Sequence, residues 1–337
     1  MNILFTCVGR RNYLLRYFRE AMRDGDQIIA CDMQASAPGL TEADRAFLVP
    51  AIYDESYIPT LLEKIREYQV DALISLNDLE LPILSAHRKE IEELGAKLLV
   101  SDERVIDITF DKIKTAAFLR EECGLQTPCT ETSLEAFCGS RQSSYPCVLK
   151  PRWGSASIGI EFPQSEEELL IADKLLRIKL KNTILYNASK EHFAAAILYQ
   201  EKITGREYGM DILNDLEGNY VGTFVREKLA MRAGETDKAR TIIDDRFEYI
   251  GRTISKHLRH IGVLDCDVLE REGELYVLET NARFGGGYPF SHEAGEHATA
   301  CILEWLQGGG DIAQHLQYKA GVTLSKCDRL IRVLDHL

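Results

Sequence analysis

The sequence lacks the features that would mark a nucleic-acid-binding or membrane protein. Basic residues are in deficit: 40 Lys and Arg stand against 53 Asp and Glu in 337 residues, giving a net charge of −13. A protein that binds nucleic acid without sequence preference needs a basic surface, so the composition disfavours that class. No apolar run approaches the roughly 20 residues of a membrane-spanning helix. We therefore expect neither nucleic acid nor a membrane as a partner.

Paired cysteines are also missing. Nine cysteines are scattered along the chain, which is an odd number, and no two of them have CxxC spacing. The opening residues run directly into a strand pattern and show no signal-peptide pattern. These features predict reduced thiols in a cytoplasmic protein.

Two common nucleotide-binding motifs are absent or incomplete. The sequence contains no GxxxxGK[ST] motif, so a P-loop is excluded. The first predicted strand ends in "CVGRRN", which supplies only Gly9 of the three glycines of GxGxxG. Asp32, at the end of the second predicted strand, occupies the place of the ribose-binding acid of dinucleotide domains. An enzyme that binds NAD in its first domain therefore stays open as an alternative.

The order of predicted elements changes along the chain. Residues 1–106 alternate short apolar strands with amphipathic helices, which predicts a doubly wound parallel sheet. A single helix is predicted over 107–125, and the remainder mixes helices with strands of antiparallel character. These strands are predicted around a small-residue loop at 145–162, at 196–203, at 206–214 and 220–230, in a hairpin near 263–281, and at 328–334.

The stretch "VLKPRWGSASIGI" suits a phosphate-binding loop. Lys150 closes an apolar strand, and small residues follow it. Such a loop lets backbone N–H groups approach phosphate oxygens while the lysine neutralises their charge. A plain hairpin loop with an exposed lysine explains the stretch equally well.

A predicted hairpin near the C-terminal end concentrates acidic residues. Asp267 and Glu279 fall on its two strands, and Asn281 and Arg283 follow Glu279 at intervals of two. Alternate residues of a strand share one face, so two carboxylates and an amide oxygen converge as hard ligands for Mg²⁺. Arg283 and the glycines at 285–287 would then face an anionic intermediate. The competing interpretation is a surface hairpin of solvated acids.

Taken together and in order, these residues resemble the ATP-grasp superfamily, in particular its carbamoyl-phosphate-synthetase-like and amino-acid-ligase branches. The resemblance implies that Asp267, Glu279 and Asn281 bind the metal and that Lys150 and Arg283 are catalytic. It also implies a set of nucleotide-binding residues: Lys112, Lys150, Gly154, Ser155, Ser157, Gly159, Gln200, Glu201, Ile203 and Glu207. The loop at 154–159 is richer in serine and poorer in glycine than its family counterpart, and Asp267 is the shorter relative of the more usual Glu.

The resemblance also implies the fold class and the domains. The fold is expected to combine α/β and α+β parts: a Rossmann-like pre-ATP-grasp domain over 1–106, followed by an ATP-grasp fold of two α+β lobes. These lobes are expected at 107–200, with a lid-bearing subdomain at about 127–200, and at 201–337, with the metal site. The implied cofactors are ATP and Mg²⁺, with Mn²⁺ as a substitute.

The implied reaction is ligation of a carboxylate to an amine through an acylphosphate, with release of ADP and phosphate. The expected partners are small-molecule substrates and a second copy of the chain in a homodimer. The candidates for substrate contact are Arg10, Asn77, Arg232, Gly286 and Gly287. The sequence leaves open whether Arg10, Arg11 and the 231–241 segment make such contacts. Two alternatives stay open: phosphorylation of bicarbonate or carbamate, and a non-catalytic nucleotide-binding regulatory protein.

Overall fold

The computed structural model describes residues 1–140, 144–154 and 158–333. Its N-terminal part is a five-stranded parallel sheet in the order β3-β2-β1-β4-β5. The strands are β1 (Asn2–Thr6), β2 (Gln27–Asp32), β3 (Arg45–Leu48), β4 (Ala72–Ser75) and β5 (Lys97–Leu98). The helices are α1 (Asn12–Ala21), α2 (Tyr57–Glu67), α3 (Leu81–Ala86) and α4 (Arg88–Glu93), and a 3₁₀ helix covers Pro38–Glu42. The predicted doubly wound sheet is confirmed.

The central strands of this sheet are apolar on both faces because helices cover both. Leu4 and Leu73 are fully buried. Glu80 is buried where β1 and β4 end, and it accepts hydrogen bonds from the hydroxyl groups of Thr6 (2.7 Å), Ser75 (2.5 Å) and Tyr57. These bonds tie together the strand ends from which the loops carrying Arg11 and Asp78 emerge.

Two helices connect the first sheet to the rest of the chain. They are α5 (Glu103–Phe110) and α6 (Lys112–Glu121), so the single helix predicted over 107–125 is wrong. Asp111 breaks it: its backbone is extended, and its carboxylate accepts a hydrogen bond from the N–H of Ile113 at 3.0 Å. Aspartate is a favoured residue at this position because it satisfies an orphan N–H at the start of a helix. The break places Lys112 at the first position of α6.

A small antiparallel sheet follows, in the order β6-β8-β7. Its strands are β6 (Thr130–Glu131), β7 (Cys147–Pro151) and β8 (Ile197–Glu201). The associated helices are α7 (Leu134–Gly139), α8 (Glu166–Lys181) and α9 (Leu185–Ser189), with a 3₁₀ segment at Lys190–Ala195. Of the second strand predicted in 145–162, the described residues form only an isolated bridge between Leu149 and Glu161.

The C-terminal part is a six-stranded antiparallel sheet in the order β13-β12-β9-β10-β11-β14. Its strands are β9 (Arg206–Asn214), β10 (Tyr220–Arg232), β11 (Glu235–Ile242), β12 (Gly262–Arg271), β13 (Glu274–Asn281) and β14 (Thr323–Ser325). The helices are α10 (Asp245–Leu258), α11 (Tyr288–His292) and α12 (Ala298–Leu306), with a 3₁₀ turn at Ala313–His315.

The strand predicted at 328–334 is wrong. The described residues of that segment, 328–333, contain no strand, and β14 pairs with β11 a few residues earlier. Leu330 is fully exposed, so the apolar residues that suggested a strand have no sheet face to cover. Among the helices in the described ranges, none has the length and apolar character needed to span a membrane.

The six-stranded sheet has one apolar face and one charged face because side chains alternate along each strand. Tyr208, Met210 and Ile212 of β9 are buried with residues of α10 in one core, and the ring centroid of Tyr208 lies 4.9 Å from that of Phe247. The intervening residues Glu207 and Asp211 point to the opposite face. That face forms a wall of the site.

Candidate active site

One cavity collects most of the residues predicted to act on nucleotide, metal and substrate. Its volume is about 660 Å³, within the range of roughly 300–1,000 Å³ typical of small-molecule sites. The wall is formed by residues from the loop after β1, from β7 and the end of β8, from the charged face of β9, β10, β12 and β13, and from the glycine run that follows β13.

The end of the cavity at the small sheet carries the predicted nucleotide-binding residues. Lys150 lies on β7, beside Leu198 of β8, and its side chain is 3% exposed. The continuation of β8 contributes Gln200, Glu201, Lys202 and Ile203 to the wall, and Glu207 of β9 follows. Gln200 is held in place because its amide donates a hydrogen bond to the Thr130 hydroxyl at 2.7 Å.

Lys112 approaches this region from α6. Its ammonium group donates a hydrogen bond to the carbonyl of Gly154. Lys112, Gly154, Glu279 and Asn281 together line a narrow cleft beside the main cavity. The structure therefore brings the two predicted phosphate-binding lysines to neighbouring positions, although they are 38 residues apart in the sequence.

The pKa of Lys150, the lysine on β7, is lowered by its surroundings. Burial lowers the pKa of Lys150 to about 8, against the attraction of Glu279 and with further lowering by Lys112. Lys150 is buried, Lys112 is partly buried, and the two are close enough to influence each other, which leaves a surplus of positive charge. A bound triphosphate would neutralise that surplus.

The acidic hairpin has the predicted register. Asp267 of β12 pairs directly opposite Glu279 of β13, and Asp265 pairs opposite Asn281. All four residues line the cavity. The sequence missed Asp265 as a member of the site, although its position two residues before Asp267 puts it on the same face of β12.

Two basic side chains of β10 pair with acidic residues on this face of the sheet. Lys228 lies 2.7 Å from Asp267 and 2.8 Å from Glu207. Arg226 is fully buried, binds Asp211 and lies 3.3 Å from Asp265. Burial opposes the charge of Lys228, but its two carboxylate partners outweigh burial, and the pKa of Lys228 is raised.

The donor set at the hairpin fits a divalent cation. Burial raises the pKa of Asp267 to about 6; Lys228 lowers it, and the neighbouring carboxylates of Asp265 and Glu279 raise it again. Several carboxylates thus lie close together, and a divalent cation would relieve their mutual repulsion. No group of three or more His, Cys, Asp or Glu side chains in the described part of the chain is arranged to hold a metal. The candidate set is two carboxylates and the Asn281 amide, to be completed by phosphate oxygens or water.

Arg283 joins the hairpin to the first domain. Its guanidinium group contacts Asp78 at 2.8 and 3.1 Å and Asp265 at 2.8 Å. Burial opposes the charge of Arg283, but these two acids outweigh burial and raise the pKa of Arg283 further. Asp78 was not predicted, because 205 residues separate it from Arg283 and only the fold brings them together.

The glycine run after β13 permits this dense packing. A Cβ on Gly287 would lie 2.3 Å from the Nε of Arg226, whereas a Cβ on Gly286 would meet nothing closer than the Glu235 carboxyl group at 3.6 Å. Gly286 and Gly287 both line the cavity, as predicted for substrate-facing residues. Gly154 and Gly159 have positive φ angles of 127° and 76°. The predicted nucleotide-binding residues Ser155 and Ser157 lie outside the described residues.

Three predicted substrate residues are not part of the cavity wall. Arg10 is exposed, and its neighbour Arg11 lines the cavity instead. The Asn77 side chain accepts a hydrogen bond from the N–H of Leu79 at 3.0 Å, while the next residue, Asp78, reaches the site. Arg232 pairs at the surface with Asp237 and Asp328, whereas Met231, Gly234 and Glu235 of the same hairpin face the cavity.

The sequence matches known families over both parts of the chain. Residues 3–99 match the PylC-like N-terminal domain, and residues 109–287, just over half of the chain, match the ATP-grasp domain. The chain belongs to the ATP-grasp family. The predicted superfamily is thereby confirmed, and with it the predicted order of a Rossmann-like domain followed by an ATP-grasp fold.

Individual relatives are distant. The carbamoyl phosphate synthase large chain of Rubrobacter xylanophilus is 22% identical over 245 residues, which cover 69% of this chain and 22% of that protein. Among solved structures, biotin carboxylase of Campylobacter jejuni has a TM-score of 0.72 at 17% identity and covers 95% of this chain and 73% of its own. L-amino acid ligase of Bacillus licheniformis has a TM-score of 0.69 at 22% identity, covering 91% and 75%. The alignment with the synthase thus spans about a fifth of its length, and likeness at these identities shows the fold.

Proposed function

We propose that this ATP-grasp protein is an ATP-dependent ligase that joins a carboxylate to an amine through an acylphosphate. The observation that carries the proposal is the convergence of Lys150, Asp267, Glu279, Asn281 and Arg283 on one cavity from separate elements. The family assignment and the similarity to an amino acid ligase support it.

The nucleotide would lie along the small sheet. In the proposal, Gln200, Glu201 and Ile203 contact adenine and Glu207 contacts the ribose. Lys112 and Lys150 neutralise the phosphates, and the loop at 154–159 covers them. The proposed division of the chain is 1–106, 107–200 with its lid at about 127–200, and 201–337. Lys112 and Lys150 belong to the second part and the metal ligands to the third, so the proposed phosphates lie between the two lobes of the ATP-grasp fold.

Asp267, Glu279 and Asn281 would hold Mg²⁺, or Mn²⁺ in its place. When bound, the metal draws charge from the phosphate oxygens and helps to align the terminal phosphoryl group. The chain's own contribution is the placement of these three oxygen donors on paired strands. Lys228 keeps the acids in position in the absence of other cations, since it contacts both Asp267 and Glu207.

In the first chemical step, a carboxylate oxygen of the substrate attacks the γ-phosphorus of ATP. The bond from that phosphorus to the β–γ bridging oxygen breaks, and ADP leaves with the bonding electron pair. Lys150 and Arg283 face the charge that develops on the transferred phosphoryl group. The chain supplies positioning and charge neutralisation, and none of its side chains needs to form a covalent bond.

In the second step, the neutral amine attacks the acyl carbon of the acylphosphate. The carbon–oxygen bond to phosphate breaks, inorganic phosphate leaves, and the nitrogen gives up a proton to phosphate or solvent as the amide forms. The N–H groups of Gly286 and Gly287, which border the cavity, are the candidate donors to the oxyanion of this step.

Release of ADP in the presence of paired carboxylates and amines tests the proposal. Wild-type protein should release ADP only when both substrates are present, and Lys150→Met and Glu279→Gln should lower turnover by at least about 100-fold. Glu272→Gln, in the exposed turn of the same hairpin, is the matched control and should retain activity. ADP release from bicarbonate alone would favour the carbamoyl-phosphate type of reaction, and undiminished turnover by both active-site variants would refute the assigned roles.

A further inference from the structure

The basic residues of the cavity wall are unequally neutralised. Three of them, Arg226, Lys228 and Arg283, are paired with buried or partly buried carboxylates. The other three, Arg11, Lys150 and Lys202, have no carboxylate among the described residues within 4.0 Å. An unpaired cation in a cavity favours an anionic ligand, because the ligand replaces the missing counter-charge.

The unpaired cations belong to different parts of the cavity. Lys150 and Lys202 come from β7 and from the end of β8, where we place the nucleotide. Arg11 comes from the first domain and donates a hydrogen bond through Nη1 to the carbonyl of Phe284 at 2.6 Å. The proposed nucleotide lies beside both lysines, with its phosphates at Lys150. Arg11 lies in a different part of the cavity wall, so its charge needs another partner.

A second cation reaches the same place from the opposite end of the chain. Lys326 donates a hydrogen bond to the carbonyl of Gly286 at 2.9 Å and lies 3.2 Å from Glu235. Arg11 and Lys326 thus contact the carbonyl groups of Phe284 and Gly286, which are two residues apart at the start of the glycine run. Burial lowers the pKa of Lys326, and Glu235 raises it. Arg11 and Arg226 lower it again, so Arg11 and Lys326 repel each other.

The carboxylate available to both cations is a poor partner. Glu235 belongs to the cavity wall, but its side chain is 60% exposed. It pairs with Lys326 and not with Arg11. Two cations and one largely solvated acid leave a net positive charge. Tyr13 adds a hydroxyl group to this neighbourhood: burial raises its pKa, and it lies within electrostatic reach of Arg11 and Glu235. The phenol therefore stays protonated and can donate a hydrogen bond.

We propose that Arg11 and Lys326 bind a second oxyanion of the carboxylate substrate, separate from the carboxylate that reacts. The substrate class is then a carboxylate that carries a further carboxylate or a phosphate ester. The inference rests on the proposed function, because it assumes that the reacting carboxylate lies at Arg283 and the metal site. It explains why Arg11 of the first domain and Lys326 of the C-terminal segment both contact the chain at the glycine run.

Matched substrate pairs test this inference. Glutarate is compared with its monoamide, and 3-phosphoglycerate with glycerate, in the ADP-release assay with a panel of amines. Wild-type protein should prefer the member of at least one pair that has two anionic groups, called the dianion below, by about tenfold or more in kcat/KM, since charge-assisted hydrogen bonds to Arg are strong. The pair that shows the preference tells whether the second group is a carboxylate or a phosphate ester.

The variants are Arg11→Gln and Lys326→Gln, with Arg16→Gln as the control. Arg16 lies on α1, which begins directly after Arg11. Among the described residues its one ion pair is with Glu42, at 3.8 Å on the surface. Each site variant should raise KM for the dianion by roughly tenfold and leave KM for the monoanion and kcat within about threefold, whereas the control should match the wild type. Lys326 is in the C-terminal segment outside the core, so its variant remains informative if the Arg11 variant folds poorly.

A binding measurement separates failure of this inference from failure of the proposed ligase function. Isothermal titration of the same four compounds into nucleotide-free protein should show dianion binding that weakens in both site variants, even if no ADP is released. ADP release without any difference between dianion and monoanion would overturn the inference and leave the ligase assignment standing. Absence of binding that depends on Arg11 or Lys326 would overturn it whatever the ADP assay shows.

Discussion

The charge state of Lys150 depends on its surroundings in the site. The structure lowers its pKa to about 8, so a fraction of the free protein carries a neutral lysine above that pH. Bound phosphates favour the charged form, and ATP binding near pH 9 should therefore be accompanied by uptake of up to one proton. Isothermal titration in buffers of different ionisation enthalpy measures this number.

A comparison with Lys150→Arg isolates the cause. Arginine stays charged throughout this pH range, so the variant should bind ATP without proton uptake at the same pH. Equal proton uptake by variant and wild type would place the titrating group elsewhere. The affinity of the wild type for ATP should fall as the pH rises from 8 towards 10, and that of the variant should fall less.

Asp78 is predicted to position Arg283. Asp78→Asn would leave Arg283 with Asp265 as its carboxylate partner and weaken the link between the first domain and the hairpin. We expect kcat/KM to fall by roughly 100-fold, the cost of misplacing a reacting group by about 1 Å, and stability to fall by about 3 kcal/mol because a buried ion pair is broken. Steady-state kinetics and denaturant unfolding measure the two effects.

The matched control is Asp54→Asn, since Asp54 is exposed and, in the described part of the chain, its carboxylate accepts hydrogen bonds from Ser56 alone. The activity of Asp78→Asn is measured at a temperature where the variant is folded. If the variant loses stability but no activity, the role of Asp78 is structural.

For single residues, the sequence predicts the type of chemical group in the site better than it predicts which side chains line the cavity. The metal candidates follow from residue type and spacing, and the phosphate-binding lysines from the family resemblance; the structure brings Asp267, Glu279, Asn281 and Lys150 together. Substrate residues are harder: the choice between Arg10 and Arg11, or between Asn77 and Asp78, depends on the orientation of a loop residue. No periodicity exists in a loop to decide which of two neighbours points inward.

Among the elements, the hairpin of β12 and β13 and the glycine run behind it are the most tightly constrained. Gly287→Ala would place a methyl group against the fully buried Arg226, whose guanidinium is fixed by Asp211 and Asp265. Overpacking of this kind costs about 1–3 kcal/mol. Gly286→Ala, one residue away, has free space and should melt within about 1 °C of the wild type.

Thermal unfolding of the two alanine variants tests this packing. Equal melting temperatures for Gly287→Ala and Gly286→Ala would show that Arg226 moves freely, contrary to the arrangement described above.

Helix and strand boundaries show where pattern alone fails. The hairpin at 263–281 is predicted correctly because its apolar alternation and turn residues agree with its register. The helix over 107–125 is not, because Asp111 forms a cap and binds Arg152 at 2.6 and 2.8 Å, a contact made across 41 residues. The strand at 328–334 fails for the opposite reason: within 328–333, the part that the structure describes, the apolar pattern pairs with no other strand.

In the whole molecule, the site depends on parts that are far apart in sequence. The first domain contributes Asp78 and Arg11, the small sheet contributes Lys150, and the six-stranded sheet contributes the acids. Composition and element order predict each part, and the family assignment confirms the order. What the sequence does not reveal is the chain of alternating charges from Asp211 through Arg226, Asp265 and Arg283 to Asp78, because each link joins different elements.

The central claim is that one cavity binds a nucleotide together with a divalent ion at the acidic hairpin. Its most direct test is the melting temperature with a non-hydrolysable ATP analogue, with and without Mg²⁺, for wild type, Lys150→Met, Glu279→Gln and the control Glu272→Gln. At 100 times Kd the analogue with Mg²⁺ should stabilise wild type and control by about 2.7 kcal/mol, and the two site variants far less. A wild type unaffected by nucleotide and Mg²⁺, or site variants stabilised as much as the wild type, would contradict the account.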